Sequence, residues 1–203
     1  MGNVTSIREL GNQLLVSLDD GTSLMAFPTP GGLWIVAAPP VVIPPDPEPT
    51  GGLIDWWTAS YGQGSFGDWE SHASYSRGGT DWSLPYGTVL KAPAAGTIVN
   101  YTNSDAAGLK TILILDVAVA RKLPASNTLM NGVYREDPTA PARAFVAQHL
   151  SAQGYEGHVN QGQPFCVSGN SAGPGSTGDT HLHAQLLAGT TIDDRRLDFM
   201  KFV

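Results

Sequence analysis

Residues 39–49 hold six prolines in eleven positions: Pro39-Pro40-Val41-Val42-Ile43-Pro44-Pro45-Asp46-Pro47-Glu48-Pro49. Proline fixes φ and carries no backbone N–H, so this run cannot join a sheet ladder and favours an extended polyproline II spacer. The chain therefore divides into a small unit over residues 1–38, a proline-rich linker over 39–52 that ends in Gly51-Gly52, and a larger unit over 53–203.

The small unit alternates apolar and polar positions. Val4-Thr5-Ser6-Ile7 is followed by Leu14-Leu15-Val16-Ser17-Leu18, and the Asp20-Gly21 pair is a hairpin signal. Ser23 to Phe27 forms the return strand, Pro28-Thr29-Pro30-Gly31-Gly32 a further turn, and Leu33 to Ala37 a last strand. A meander of three or four strands buries little surface, so it is expected to pack on another copy, a partner or the larger unit.

Composition points the same way for the rest. Charged residues make up 14%, with 24 glycines and 15 prolines, which suits a turn-rich β protein better than a helical one. Gly87 to Pro93 and Gly96 to Tyr101 read as short strands around a turn, Leu109 to Val117 as an apolar strand, and Ala144 to His149 as another. Residues 121–141 show no period and read as a long loop, with a helical turn allowed at Ala118 to Leu123. The net charge of -7 and the lack of a basic run argue against nucleic acid. No stretch has the roughly 18 apolar residues of a membrane span. Met1 to Glu9 lacks a secretory layout, so export, if any, is expected by another route, such as delivery within a particle. The lone Cys166 rules out an internal disulfide framework and reads as a buried, inert thiol.

The chemistry gathers near the C-terminus. A glycine-rich run, Ser168-Gly169-Asn170-Ser171-Ala172-Gly173, precedes Gly178-Asp179-Thr180-His181-Leu182-His183. Residues two apart on a strand share a face, so His181 and His183 can present both imidazoles to one point, and imidazole is a common zinc ligand. The bland alternative is a pair of surface histidines flanking a core leucine. Trp56, Trp57, Trp69 and Trp82 suit either an aromatic wall for a flat substrate or core packing. His158 reads as solvated, Asp179 as a loop residue and Asp116 as a strand end.

Taken in order, these segments resemble the lysostaphin-type zinc endopeptidases that cut peptidoglycan cross-bridges. Gly79-Thr80-Asp81 followed by Gly87 to Val99 is similar to the first block of that family, Gln148-His149-Leu150-Ser151 to its central block, and Gly157 to Gly162, Gly169 to Gly173 and His181-Leu182-His183 to its last. The resemblance covers about residues 60–190. It implies a mainly β, antiparallel-sheet peptidase domain, zinc (Zn2+) as cofactor and bacterial peptidoglycan as substrate. It makes Asp81 and His183 metal ligands and makes His149 and His181 catalytic histidines that do not bind the metal.

One position departs from the pattern. The first ligand of the family is a His four residues before the Asp, and Arg77 stands there. Arginine is always protonated and has no lone pair for a metal. Either His72 takes over as the first ligand, or the metal is lost and Arg77 pairs with Asp81. The first reading gives an enzyme with His72, Asp81 and His183 on the metal; the second gives a metal-free structural or wall-binding module. The small β unit and stiff spacer further suggest a phage tail component in the virion that contacts other tail proteins through residues 1–38, with a phage endolysin as the enzyme alternative.

Overall fold

The computed structural model describes residues 4–10, 13–18, 23–28, 34–36, 57, 60–61, 65–74, 77–102, 107–172 and 178–202. The chain separates into two compact units, Met1–Glu48 and Pro49–Val203. The polyproline expectation for 39–49 lies outside the described residues, as do Asp20-Gly21, Trp56 and Gly173.

The first unit is an antiparallel meander of β1 (Val4–Leu10), β2 (Gln13–Leu18), β3 (Ser23–Pro28) and β4 (Trp34–Val36), paired in chain order. Ile7 faces Val16, Leu15 faces Met25 and Phe27 faces Ile35. β1 runs three residues beyond the expected end at Ile7, because Arg8, Glu9 and Leu10 also find partners on β2. Pro28 closes β3 and, lacking an N–H, cannot donate to the ladder.

The second unit is built on one antiparallel sheet. Its strands are β5 (Ser65–Gly67), β6 (Thr80–Trp82), β8 (Gly96–Thr102), β9 (Leu109–Val119), β10 (Ala142–Gln148), β11 (Gly157–Val159), β13 (Leu182–Leu187) and β14 (Arg196–Leu197). The order is β11-β8-β9-β10-β13-β6-β5, with β14 paired to β13. β7 (Val89–Lys91) and β12 (Pro164–Val167) form a separate ribbon. Among the described residues no helix is long and apolar enough to cross a membrane.

Strand alternation sorts the side chains onto two faces. Leu113, Phe145, Ala147, Leu182, Ala184 and Leu186 point into the main core, where they meet Trp57, Trp82, Phe165 and Phe199. Ile112, Ala144, Val146 and Leu187 form a smaller cluster on the opposite face. Every residue of β13 is buried. Since Leu182, Ala184 and Leu186 take the core side, His183 and Gln185 share the other face with Leu187.

Trp57, Trp69 and Trp82 are 0–1% exposed and pack inside, which selects core packing over a substrate wall for these three. Three sequence expectations change here. No helical turn forms at 118–123, because β9 continues through Val119 and pairs with Ala142. Asp116 lies within β9, not at its end, and joins His158 at 2.8 Å on the surface, where such pairs contribute about 0–1 kcal/mol. His149 falls just past β10, in a left-handed conformation with φ 61°. Cys166 is buried in β12, and burial pushes its thiol pKa up.

Candidate metal centre

Three elements bring the site together. The first is a short 3-10 turn, Ser71–Ser74. Asp68 fixes its start: its carboxylate accepts from Ser71 N at 2.8 Å, and its carbonyl accepts from Ser71 Oγ at 2.8 Å. The same carbonyl lies 2.6 Å from His72 Nδ1. That bond holds a proton on Nδ1 and turns Nε2 inward, the arrangement usual for a metal-binding histidine.

The second and third elements are β6 and β13. Asp81 faces His183 directly across the ladder. His183 Nδ1 lies 2.8 Å from Asp81 Oδ1, and His72 Nε2 lies 3.2 Å from Asp81 Oδ2. One donor atom from each of His72, Asp81 and His183 falls within 4.8 Å of the others, and all three residues are buried. Gly79 makes this packing possible: its φ of 151° suits only glycine, and a Cβ there would run into the His183 ring.

Electrostatics follow from the packing. Burial alone would raise the Asp81 pKa, but hydrogen bonds from His183 and His72 outweigh it and hold the carboxyl well below the ordinary carboxylate range. Burial works against protonation of His72 too, yet its bonds to Asp81 and to the Asp68 carbonyl leave its pKa raised. Full burial pulls His183 down.

A layer behind His183 was not anticipated from sequence. Gln185 Nε2 donates to the Gly78 carbonyl at 2.9 Å, and Gln185 Oε1 accepts from Arg196 Nε at 3.1 Å. These partners assign the amide orientation and place the amide nitrogen 2.7 Å from His183 Nε2. His183 Nε2 therefore accepts, and its proton sits on Nδ1, toward Asp81. The alternation that pairs His181 with His183 also puts Gln185 on that face; Arg196 comes from β14 and has no local signal.

Two further histidines flank the cluster. The His149 and His181 rings lie 4.5 Å apart between centroids, and His181 Nε2 is 4.0 Å from Asp81 Oδ1. His149 Nδ1 donates to the Ser171 carbonyl at 2.7 Å, and His181 Nδ1 lies 3.0 Å from the Asp179 carbonyl. Burial lowers the His149 pKa to about 4; the Ser171 bond opposes this and the charges of His181 and His183 reinforce it. His149 is thus neutral near pH 7, with its lone pair on Nε2. A non-glycine residue at positive φ is a strained arrangement of the kind that gathers at functional sites.

The sequence-predicted residues His72, Asp81, His149, His181 and His183 thus converge in one place. Arg77 stays apart: it is exposed, and among the described residues it makes no ion pair with Asp81, whose carboxylate is taken by histidines. The Arg77–Asp81 pairing is therefore not formed. Two imidazoles and a carboxylate are common zinc ligand types, so His72, Asp81 and His183 fit a three-ligand site; Asp68 already fixes the His72 tautomer, and zinc at His183 Nδ1 would displace the proton that atom holds toward Asp81.

No protein-family model matches the chain, and no curated protein matches it. Solved structures do. The antimicrobial peptidase lysostaphin from Staphylococcus simulans is 21% identical with a TM-score of 0.49, over 72% of this chain and 50% of that one. Its catalytic domain, crystallised without phosphate, is 19% identical with a TM-score of 0.46, over 72% of this chain and 94% of that one. A zinc-containing peptidase from Vibrio cholerae is 14% identical with a TM-score of 0.41, over 86% of this chain and 46% of that one. The chain spans about half the length of the full lysostaphin structure.

Proposed function

We propose that the second unit is a zinc-dependent endopeptidase that hydrolyses peptide bonds of bacterial peptidoglycan. The observation that carries this reading is the buried His72–Asp81–His183 cluster beside His149 and His181. His72, Asp81 and His183 would hold the zinc, which when bound would supply a Lewis acid for the scissile carbonyl and a water that ionises near pH 7. His149, neutral with Nε2 available, takes the proton of the attacking water as general base. His181, whose Nε2 lies 4.0 Å from Asp81 Oδ1, stands where, as imidazolium, it can donate through Nε2 to the oxyanion that develops on the carbonyl. The Ser171 and Asp179 carbonyls hold both rings by Nδ1, so the catalytic nitrogens are oriented before substrate arrives. The test is incubation of purified protein with isolated cell walls, with new amino termini counted. Chelation abolishes their release and added zinc restores it; release that is indifferent to chelator overturns the metal assignment.

A second reading is a metal-free wall-binding module. It is favoured by one observation: His183 Nδ1 and His72 Nε2 lie 2.8 and 3.2 Å from the Asp81 carboxylate, close enough for the three side chains to satisfy one another as a hydrogen-bonded cluster. Wall binding without new amino termini would select it.

For the whole chain we propose a tail component of a phage virion, anchored to other tail proteins through residues 1–38. A four-stranded meander that forms its own compact unit, set off by a proline-rich stretch, supports this. Mass spectrometry of purified particles detects the chain if so. The endolysin alternative places it free in lysates and absent from particles.

A further inference from the structure

A cavity of about 410 Å3 is lined by Arg77, Arg195, Arg196, Tyr134, Asp193 and Asp194, among others. Arg196 forms part of its wall. It is 93% buried, yet its guanidinium meets only neutral oxygens: Gln185 Oε1 at 3.1 Å through Nε and the Asp194 carbonyl at 2.6 Å through Nη1. Among the described residues no carboxylate lies within ion-pair distance of it. A buried cation is costly unless a counter-charge is brought to it. Arg77 and Arg195 add two more guanidiniums to the same wall.

The nearer aspartate does not supply that counter-charge. Asp194 Oδ2 is taken up in its own turn, accepting from Thr191 N at 2.8 Å and Thr191 Oγ1 at 2.9 Å. Asp193 is exposed. Tyr134 shapes the cavity rather than filling the charge gap, since its phenol donates to the Arg77 carbonyl and so fixes the backbone from which Arg77 projects. Burial raises the Tyr134 pKa, and the charges of Arg196, Arg77 and Arg195 oppose that rise.

We propose that this cavity is a binding site for a carboxylate-bearing ligand, with Arg196 and Arg77 as its charge partners. Guanidinium matches a carboxylate in plane and can bind both oxygens. The lining sums to one positive charge, three arginines less two aspartates, which suits a monoanion better than a phosphate dianion. The volume holds more than a bare ion, and Val133 and Tyr134 give an aliphatic stem something to pack on. An acidic peptide side chain has that form. The site needs no metal, so it stands or falls separately from the peptidase reading.

The test is a titration of the full chain, followed by NMR at the Arg196 Nε–H, with N-acetyl-glutamate amide, N-acetyl-glutamine amide and inorganic phosphate. The glutamate probe is expected to shift that resonance saturably and to bind at least about tenfold tighter than its neutral glutamine counterpart, as a charge-assisted hydrogen bond implies. Arg77→Ala is expected to weaken the glutamate probe about tenfold; because Arg77 is exposed, the fold survives, as near-UV circular dichroism checks. Equal binding of the two amino-acid probes, no saturable shift, or unchanged binding in Arg77→Ala overturns the proposal. Phosphate binding tighter than glutamate overturns the assignment to carboxylates.

Discussion

Gly67→Ala probes the metal cluster without removing a ligand. Gly67 and Asp81 face each other across the β5–β6 ladder. A Cβ at residue 67 would stand 2.6 Å from Asp81 Oδ2 and 3.1 Å from His72 Cε1. Ordinary contact begins at 3.4 Å, so the added methyl pushes the carboxylate back by about 0.8 Å (3.4 − 2.6). Metal–ligand distances hold to about 0.2 Å, so a shift of this size takes Asp81 out of register with the two histidines. The expected loss of zinc affinity is at least about tenfold, or about 1.4 kcal/mol. Overpacking costs the fold about 1–3 kcal/mol as well, which the domain can absorb. Competition against a chelating dye reads the affinity, and a urea melt of the metal-free protein reads the fold. A folded Gly67→Ala protein with undiminished zinc affinity would refute the idea that Asp81 and His72 bind one ion together.

Other substitutions test separate parts of the site. His72→Ala is expected to lower zinc affinity sharply while Arg77→Ala leaves it largely intact, as titration with zinc would show; the reverse pattern returns Arg77 to the centre. His149→Ala and His181→Ala should retain zinc yet lose wall hydrolysis by about a hundredfold or more each, since a base and an oxyanion donor contribute rate factors of that size; activity surviving in both would reassign these roles. Asp198 supplies a test of pH dependence. Burial and the neighbouring Glu136 push its carboxyl up to about 6 from 3.8. The folded state therefore holds a proton that the unfolded chain has lost, and the stability this gives is present below pH 3.8 and disappears as pH rises through 6. The full effect is on the order of 3 kcal/mol, (6 − 3.8) × 1.36. Asp198→Asn should recover much of it at pH 7.5 and little at pH 3.5; equal stability gains at both pH values in urea melts would count against the buried-acid explanation.

Much of the site was legible in the sequence because strand alternation is a strict rule. His181-Leu182-His183 was expected to put two imidazoles on one side, and His181, just before β13, and His183, within it, both approach Asp81 with Leu182 in the core. Gln185 was equally legible by that rule, but an amide two residues further on carries no signal of chemistry by itself. Arg196 was not: its place depends on the β13–β14 register, in which it lies opposite Leu187. His72 was chosen from sequence only as the nearest upstream histidine. What brings it to Asp81 is the turn fixed by Asp68, a local bond that spacing does not reveal. Sequence left the tryptophans open between core and binding wall because indole suits both, and Trp57, Trp69 and Trp82 pack inside. The helical turn at 118–123 failed because Ala and Val after the apolar run extend β9 at its exposed end.

Metal analysis of the purified full chain tests the central claim most directly. After reconstitution and removal of loose ions, the wild-type protein should carry about one zinc per chain, and His183→Ala should lose it while remaining folded. Trace zinc in the wild type, or one equivalent retained by His183→Ala, would contradict the assignment of His72, Asp81 and His183 as a metal centre.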